Sequence, residues 1–452
     1  MGSGWGRACR DDSFSGPPRA TRAFRVTLLR PSPSPLPEPL PAFIALRHRN
    51  FRLLWSGQLV SMAGSMMQNA AILWHVATLV PPGQRAVALG MVGLVRIVPI
   101  VALSLVSGVV ADAFDRRRLM LFTQIGMALC AVGLAALEFA GVRALWPVYA
   151  FAALSAGFGT FDGPARASLV PTLVPREHLP NAISLLTIMF QIASVAGPAL
   201  GGLVIATSGV AWCYVWNAAS FLGVIVAVLA MRDVVVTPRA ERAAVSWAAA
   251  REGLEFVFRT PLIRSTMLLD FVATFFASAT ALLPMVATDL LRVGARGYGV
   301  LSAAPSVGAA IAGLIMAPLA GRLQRRGAVL LWAVASYGVA TIGFGLSRVF
   351  AVSFCFHALT GAADNVSMVI RNIIRQLATP DGMRGRMTSV SMIFFMGGPQ
   401  LGELEAGMVA QAFGVVPSVV SGGVACVLAV GWIAARSPFL RAYRREGAVA
   451  AE

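Results

Sequence analysis

The chain has 452 residues, of which 57% are hydrophobic and 13% charged, with a formal net charge of +17. That is too little charge to cover the surface of a soluble protein of this length, so a single water-soluble globule is excluded. The five cysteines, Cys9, Cys130, Cys213, Cys355 and Cys426, are too scattered for a metal site or a disulfide framework, so no metal and no cofactor is expected.

Residues 1–40 are rich in Arg, Pro and Ser and end in PSPSPLPEPLP. They read as a disordered tail, without the apolar core of a signal peptide. Twelve apolar runs follow, near 53–79, 87–111, 119–140, 147–170, 181–207, 212–231, 265–288, 299–319, 328–346, 349–370, 387–410 and 415–435. Each approaches the ~20 residues that cross a bilayer as helix. Helix is the expected form because backbone groups in lipid must bond within their own segment.

The connection 232–264 is the longest and separates six runs from six. It carries six arginines and closes with SWAAAREGLEFVFR, an amphipathic stretch expected to lie as a helix along the membrane surface. The expected fold is an all-α integral membrane protein with twelve transmembrane helices in two pseudo-symmetric six-helix bundles, 41–231 and 265–435. Residues 436–452 form a second tail.

All 37 basic residues are arginine, and they are distributed unevenly. The connections on the side of the N-terminus carry 24, and those on the other side carry five: Arg85, Arg143, Arg292, Arg296 and Arg348. By the positive-inside rule both termini are cytoplasmic. The basic excess therefore orients the chain in a lipid bilayer, and no nucleic-acid partner is expected.

The chain also repeats itself. Arg166, Pro175, Ser184, Gly197 and Gly202 match Arg371, Pro380, Ser389, Gly402 and Gly407, all at one spacing of 205 residues without a gap. Internal symmetry in a very apolar chain is the mark of a secondary transporter.

Two short motifs stand out. The first is GVVADAFDRRR, between runs two and three, with Gly108, Asp112, Arg116 and Arg117. A tight turn there needs a glycine for close helix approach, an acid at the next helix start, and basic residues to hold the loop inside. The second is GPALGG in run five, with Gly197, Pro198, Gly201 and Gly202. Small residues let helices pack closely in lipid, and the proline permits a bend.

With these residues the chain resembles the major facilitator superfamily, whose loop between helices two and three reads G-x-x-x-D-R-x-G-R-R/K. It departs from that pattern at Ala113 and Asp115. GPALGG resembles the helix-five motif of exporters of this superfamily, with Ala193 where the full pattern has glycine. The pieces ALRHRNFRLLWSGQLVS, FDGPARASLVPTLVP, LPNAISL, RGYGVLSAAPSVGA and QLATPDGMRGRMTSV…GELEAG look like the bacterial branch that holds enterobactin and macrolide exporters. The resemblance covers roughly residues 43–440. It implies a monomeric, proton-driven exporter of a medium-sized organic molecule in the cell membrane.

Ionisable groups inside membrane helices are costly and mark ion or substrate paths. Glu403, Glu405 and Asp364 are the candidates for proton coupling, because a carboxylate buried among helices can exchange a proton near neutral pH. Arg96, Asp162, Arg166, Asp270, Gln58, Gln68 and Asn69 are candidates for the cavity and its gates. Asp162 and Arg166 are four apart on one helix and can pair. Asp270 lies close enough to the start of its run to be an interfacial cap. His75 reads as a satisfied polar residue. The competing readings are a uniporter or importer on the same fold, a membrane enzyme, and a non-transporting scaffold. The chain holds no nucleophile elbow, HExxH or phosphate loop, so no catalytic residues are assigned.

Overall fold

The computed structural model describes residues 43–232, 247–278, 280–380 and 383–444. The expected tail 1–40 lies outside the described residues. So do the connection ahead of Trp247 and the end of the C-terminal tail. Gly108 and Asp112 lie in a helix, but their side chains are also outside the description.

Among the described residues every element is helical. The first part of the chain forms α1 (Arg49–Leu79), α2 (Arg85–Ala113), α3 (Arg116–Phe139), α4 (Leu145–Leu169), α5 (Leu179–Ser208) and α6 (Val210–Leu229). Then come α7 (Trp247–Arg259), α8 (Pro261–Phe276) and the short α9 (Leu283–Met285). The rest is α10 (Gly294–Leu319), α11 (Arg326–Leu346), α12 (Phe350–Ala378), α13 (Arg384–Phe413), α14 (Val415–Arg436) and the short α15 (Pro438–Ala442).

The apolar run expected over 265–288 is not one helix. It starts earlier, with Pro261 in the first turn after Thr260, and it breaks after Phe276. A tight turn over Thr280–Leu282 then leads through α9 into a π turn over Val286–Leu290. Pro284 falls in the first turn of α9, where a missing N–H costs nothing.

Among the described residues, eight helical stretches are long and apolar enough to cross a membrane, the broken stretch Pro261–Leu290 being one of them. The other four long helices, α1, α4, α12 and α13, are just as long but less apolar. These four carry Gln58, Gln68, Asn69, Asp162, Arg166, Asp364, Arg371, Glu403 and Glu405. The chain is a multi-pass membrane protein whose polar groups are concentrated on a subset of its helices.

The repeat is visible in the backbone. α4 and α12 begin 205 residues apart, and α5 and α13 both begin and end 205 apart. Gly209 and Gly414, at the same spacing, close α5 and α13 with φ of 93° and 95°. Only glycine takes this conformation without steric cost, and it turns the chain directly into the next helix.

Packing follows the same pattern. α1 lies on α5 and α6, α2 on α4, and α3 on α4 and α6. In the second part α10 lies on α12, α11 on α12 and α14, and α8 on α13 and α14. The two sets of helices meet through two main crossings, α2 with α13 and α5 with α10. α7 packs on α8 and α13, with Val257 buried beside Ile263, Met267 and Met387.

Candidate transport site

The crossing of α2 and α13 is built on glycine. Gly90 and Gly93 let the α13 backbone approach until a Cβ at Gly93 would stand 2.9 Å from Glu403 Oε2. Glu403 is thereby pressed between the two helices and is only 7% exposed. No donor among the described residues reaches its Oε2, nor is Gln400 Oε1 matched one turn away. Arg96, one turn along α2 from Gly93, donates to Asn69 Oδ1 at 3.2 Å and lies within electrostatic reach of Glu403. Asn69, Arg96 and Glu403 thus bring α1, α2 and α13 together around one cation and one carboxylate. Glu405 is half-buried and, two residues on, turns to another side of α13.

The other predicted polar groups divide differently. Asp162 and Arg166 do not pair. Asp162 accepts from Gln124 Nε2 at 2.8 Å and Thr123 Oγ1 at 3.3 Å, both on α3. Arg166 donates to Gln58 Oε1 on α1 at 3.2 Å. The short carboxylate stays with the helix beside it, and the longer guanidinium reaches across. Gln68 faces inward and accepts from Asn217 of α6 at 2.8 Å, away from Arg96. Only Asn69, its exposed neighbour, faces the Arg96 group.

Asp270 is not a helix cap. Because α8 starts at Pro261, Asp270 lies well inside it, 6% exposed, and pairs with Arg371 of α12, itself 3% exposed. Arg371 Nη2 is also 3.6 Å from Asp364 Oδ1. Arg371 was not among the candidates, although its match to Arg166 at the repeat spacing was a signal. The two repeat-related arginines have different partners: Arg166 a neutral amide, Arg371 two acids.

The sequence motifs turn out to hold helices together. Asp115 caps α3, its Oδ1 accepting from the N–H groups of Arg117 and Arg118 at 2.8 and 3.3 Å. Arg116 donates to Ser168 O at the end of α4, and Arg117 to Leu229 O at the end of α6, both at 2.9 Å. These carbonyls have no partner within their own helices, so the arginines supply one. In α5, Gly197 and Gly201 fit against Met66 and Met67 of α1, while Gly202 meets Gly299 of α10. His75 is bonded to Tyr214 Oη at 3.0 Å, and its Nε2 stands 2.8 Å from Glu138 Oε2.

Polar contacts between the two sets of helices, among the described residues, lie at the end remote from Arg49. Tyr298 Oη donates to Ala70 O at 2.8 Å, Arg85 stands 3.7 Å from Asp289, and Gln411 bonds the Gly83 carbonyl. The apolar cluster there mixes Ala70 and Ala86 with Leu282, Leu283, Leu301 and Ala406.

A largely apolar helical protein whose two sets of helices meet at one end, with a carboxylate buried at their crossing, has the architecture of a multi-pass membrane transporter. Residues 41–448 match the family described as transmembrane secretion effector. The chain belongs to that family, within the major facilitator superfamily. It is 28% identical over 286 residues to the Enterobactin exporter EntS of Escherichia coli O1:K1 / APEC. The same identity holds for the Enterobactin exporter EntS of Salmonella choleraesuis (strain SC-B67). In both cases the match covers 63% of this chain and 68% of the relative. A bacterial homologue of the iron transporter ferroportin, in an inward-facing state, superposes with a TM-score of 0.64 at 17% identity, over 86% of this chain and 99% of its own. A POT family transporter in complex with 5-aminolevulinic acid gives a TM-score of 0.69 at 10% identity, over 87% and 96% of the two chains. At such identities these structures establish the fold alone.

Proposed function

We propose that this protein is a proton-driven exporter of a small organic molecule, such as a drug or a siderophore, working by alternating access. It crosses the cell membrane twelve times in two six-helix bundles, 41–231 and 265–435, with both termini in the cytoplasm. The 205-residue correspondence of helix bounds and the likeness to major facilitator structures support the two-bundle reading. The arginine asymmetry supports the orientation. In this frame the helix sets are joined on the outer side, and the inner side is where they part.

The observation that carries the mechanism is Glu403. A carboxylate buried in the crossing of the two bundles, with one oxygen unmatched and a single cation within reach, is stable there in two ways. It can be protonated, or it can pair more closely with Arg96. Separating α2 from α13 changes the balance between these, so proton uptake and bundle movement share one free energy. Export is favoured over import by the enterobactin exporters among the relatives and by the GPALGG stretch.

The test is efflux from energised whole cells producing the full chain, loaded with dyes, macrolides or catechol siderophores, with and without a protonophore. The variants are Glu403→Gln, Glu405→Gln and Asp364→Asn. Efflux that collapses with the protonophore and in Glu403→Gln is the expected result. Efflux indifferent to the protonophore and to all three substitutions would leave a uniporter and sink the coupling.

A further inference from the structure

A second polar pocket lies within the second set of helices, away from the crossing. It is bounded by α8, α10, α11 and α12 and has about 450 Å³ of empty space, part of it open to solvent. Neither Arg96 nor Glu403 lines it. Its polar lining comes from Tyr337, Thr341, His357, Thr360 and Asp364, with Thr280 at the break after α8.

We propose that this pocket binds a small organic cation, seating its ammonium group against the Asp364 carboxylate.

Three observations lead there. The first is the state of the lining groups. Thr341 Oγ1 donates to Tyr337 O at 2.9 Å, Thr360 Oγ1 to His357 O at 2.7 Å, and Tyr337 Oη to Ala277 O at 3.3 Å. Each hydroxyl has used its only proton on the backbone, so toward the pocket it offers lone pairs. His357 is 5% exposed, and its Nε2 has no partner among the described residues. A wall of acceptors selects a guest that brings donors.

The second is charge. Asp270 and Arg371 form a buried pair, and Asp364 stands 3.6 Å from the same guanidinium. The acid of the three that faces the pocket is Asp364, whose side chain is 44% exposed. A carboxylate with one side open to the pocket can accept a charge-assisted hydrogen bond from a cationic guest.

The third is shape and surface. The Tyr337 and Phe344 rings line the pocket. Phe344 stacks on the His357 ring, with centroids 4.6 Å apart and planes at 21°, which fixes the imidazole in place. Aromatic walls beside a carboxylate suit an organic ammonium better than a hydrated metal ion.

The probe is benzylammonium, titrated into the full-length protein in detergent micelles by calorimetry, with benzyl alcohol as the neutral control. Binding is read without transport, so the result stands whatever the direction or coupling of export. Saturable binding of benzylammonium but not benzyl alcohol is expected. Asp364→Asn should weaken it ~10-fold or more, by removal of a charge-assisted contact. Thr341→Leu, which fills the pocket without changing charge, should do the same, and either variant suffices if the other does not fold. Gly159→Ala, whose added methyl meets nothing within 4 Å, should leave the affinity as it is. Absence of saturable binding, equal binding of the alcohol, or binding that survives both pocket variants would overturn the proposal.

Discussion

Gly202 of α5 and Gly299 of α10 lie so close that a Cβ on either would overlap the backbone of the other. The repeat places a partner contact on the opposite crossing, where Gly407 of α13 meets Gly90 of α2. Gly202 and Gly407 are 205 residues apart and Gly90 and Gly299 209, so two glycine-to-glycine contacts hold the two sets of helices at corresponding places. In lipid, close packing of this kind replaces the hydrophobic drive available in water. Gly202→Val should lower apparent stability in detergent by roughly 1–3 kcal/mol, the usual cost of overpacking. Gly159→Ala, where an added methyl meets nothing within 4 Å, should be neutral or mildly stabilising. Thermal denaturation of the purified protein reads both. A Gly202→Val protein as stable as the parent would mean that the two helices are free to separate.

The Asp270–Arg371 pair is buried on both sides. Removing one partner leaves the other charge unmatched, so Arg371→Ala or Asp270→Ala should each cost roughly 3–5 kcal/mol. The double variant should cost much less than the sum, because neither charge is then stranded. A double-mutant cycle on the unfolding transition gives the coupling. Simple additivity would show that the two side chains do not interact.

At the end remote from Arg49, Arg85 and Asp289 face each other at 3.7 Å with Asp289 44% exposed. A pair this open contributes about 0–1 kcal/mol. Arg85→Ala should therefore shift the population open at that end by no more than about fivefold. High salt should produce the same shift in the parent protein by screening. Distances between spin labels placed across that end would register it. A response to Arg85→Ala with none to salt would point to packing rather than charge.

Asp115 and the two arginines after it fasten three helix ends. Asp115→Ala should cost about 0.5–2 kcal/mol through loss of the cap, and Asp115→Asn should retain most of it. Arg117→Ala leaves Leu229 O without its donor and should cost about 0.5–1.5 kcal/mol. Melting of the three variants side by side orders them. Equal loss in Asp115→Asn and Asp115→Ala would show that the carboxylate's charge, rather than its hydrogen bonds, matters.

Much of this architecture could be read from the sequence, and the reason is local. Length and apolar content decide whether a segment can be a helix in lipid, and the 205-residue repeat needs only matching residues. The run over 265–288 misled because its apolar content continues across the break after Phe276. Asp270 misled with it, since its depth depends on where α8 begins.

Which polar residues meet depended on three-dimensional packing. Gln68 and Asn69 are neighbours in sequence, yet one is spent on Asn217 and the other faces Arg96. Asp162 and Arg166 share a helical face, yet each finds its partner on a different helix. The sequence by itself determined the class of protein, the helices and the internal repeat, because bilayer thickness and backbone hydrogen bonding act on each segment separately. Only the tertiary structure decided that Glu403 sits at the crossing of α2 and α13 with its Oε2 unmatched among the described residues, and that Arg371 joins Asp270 and Asp364. Those relations depend on how helices hundreds of residues apart rotate against one another, and side-chain contacts within a few ångströms carry no trace of that in local sequence.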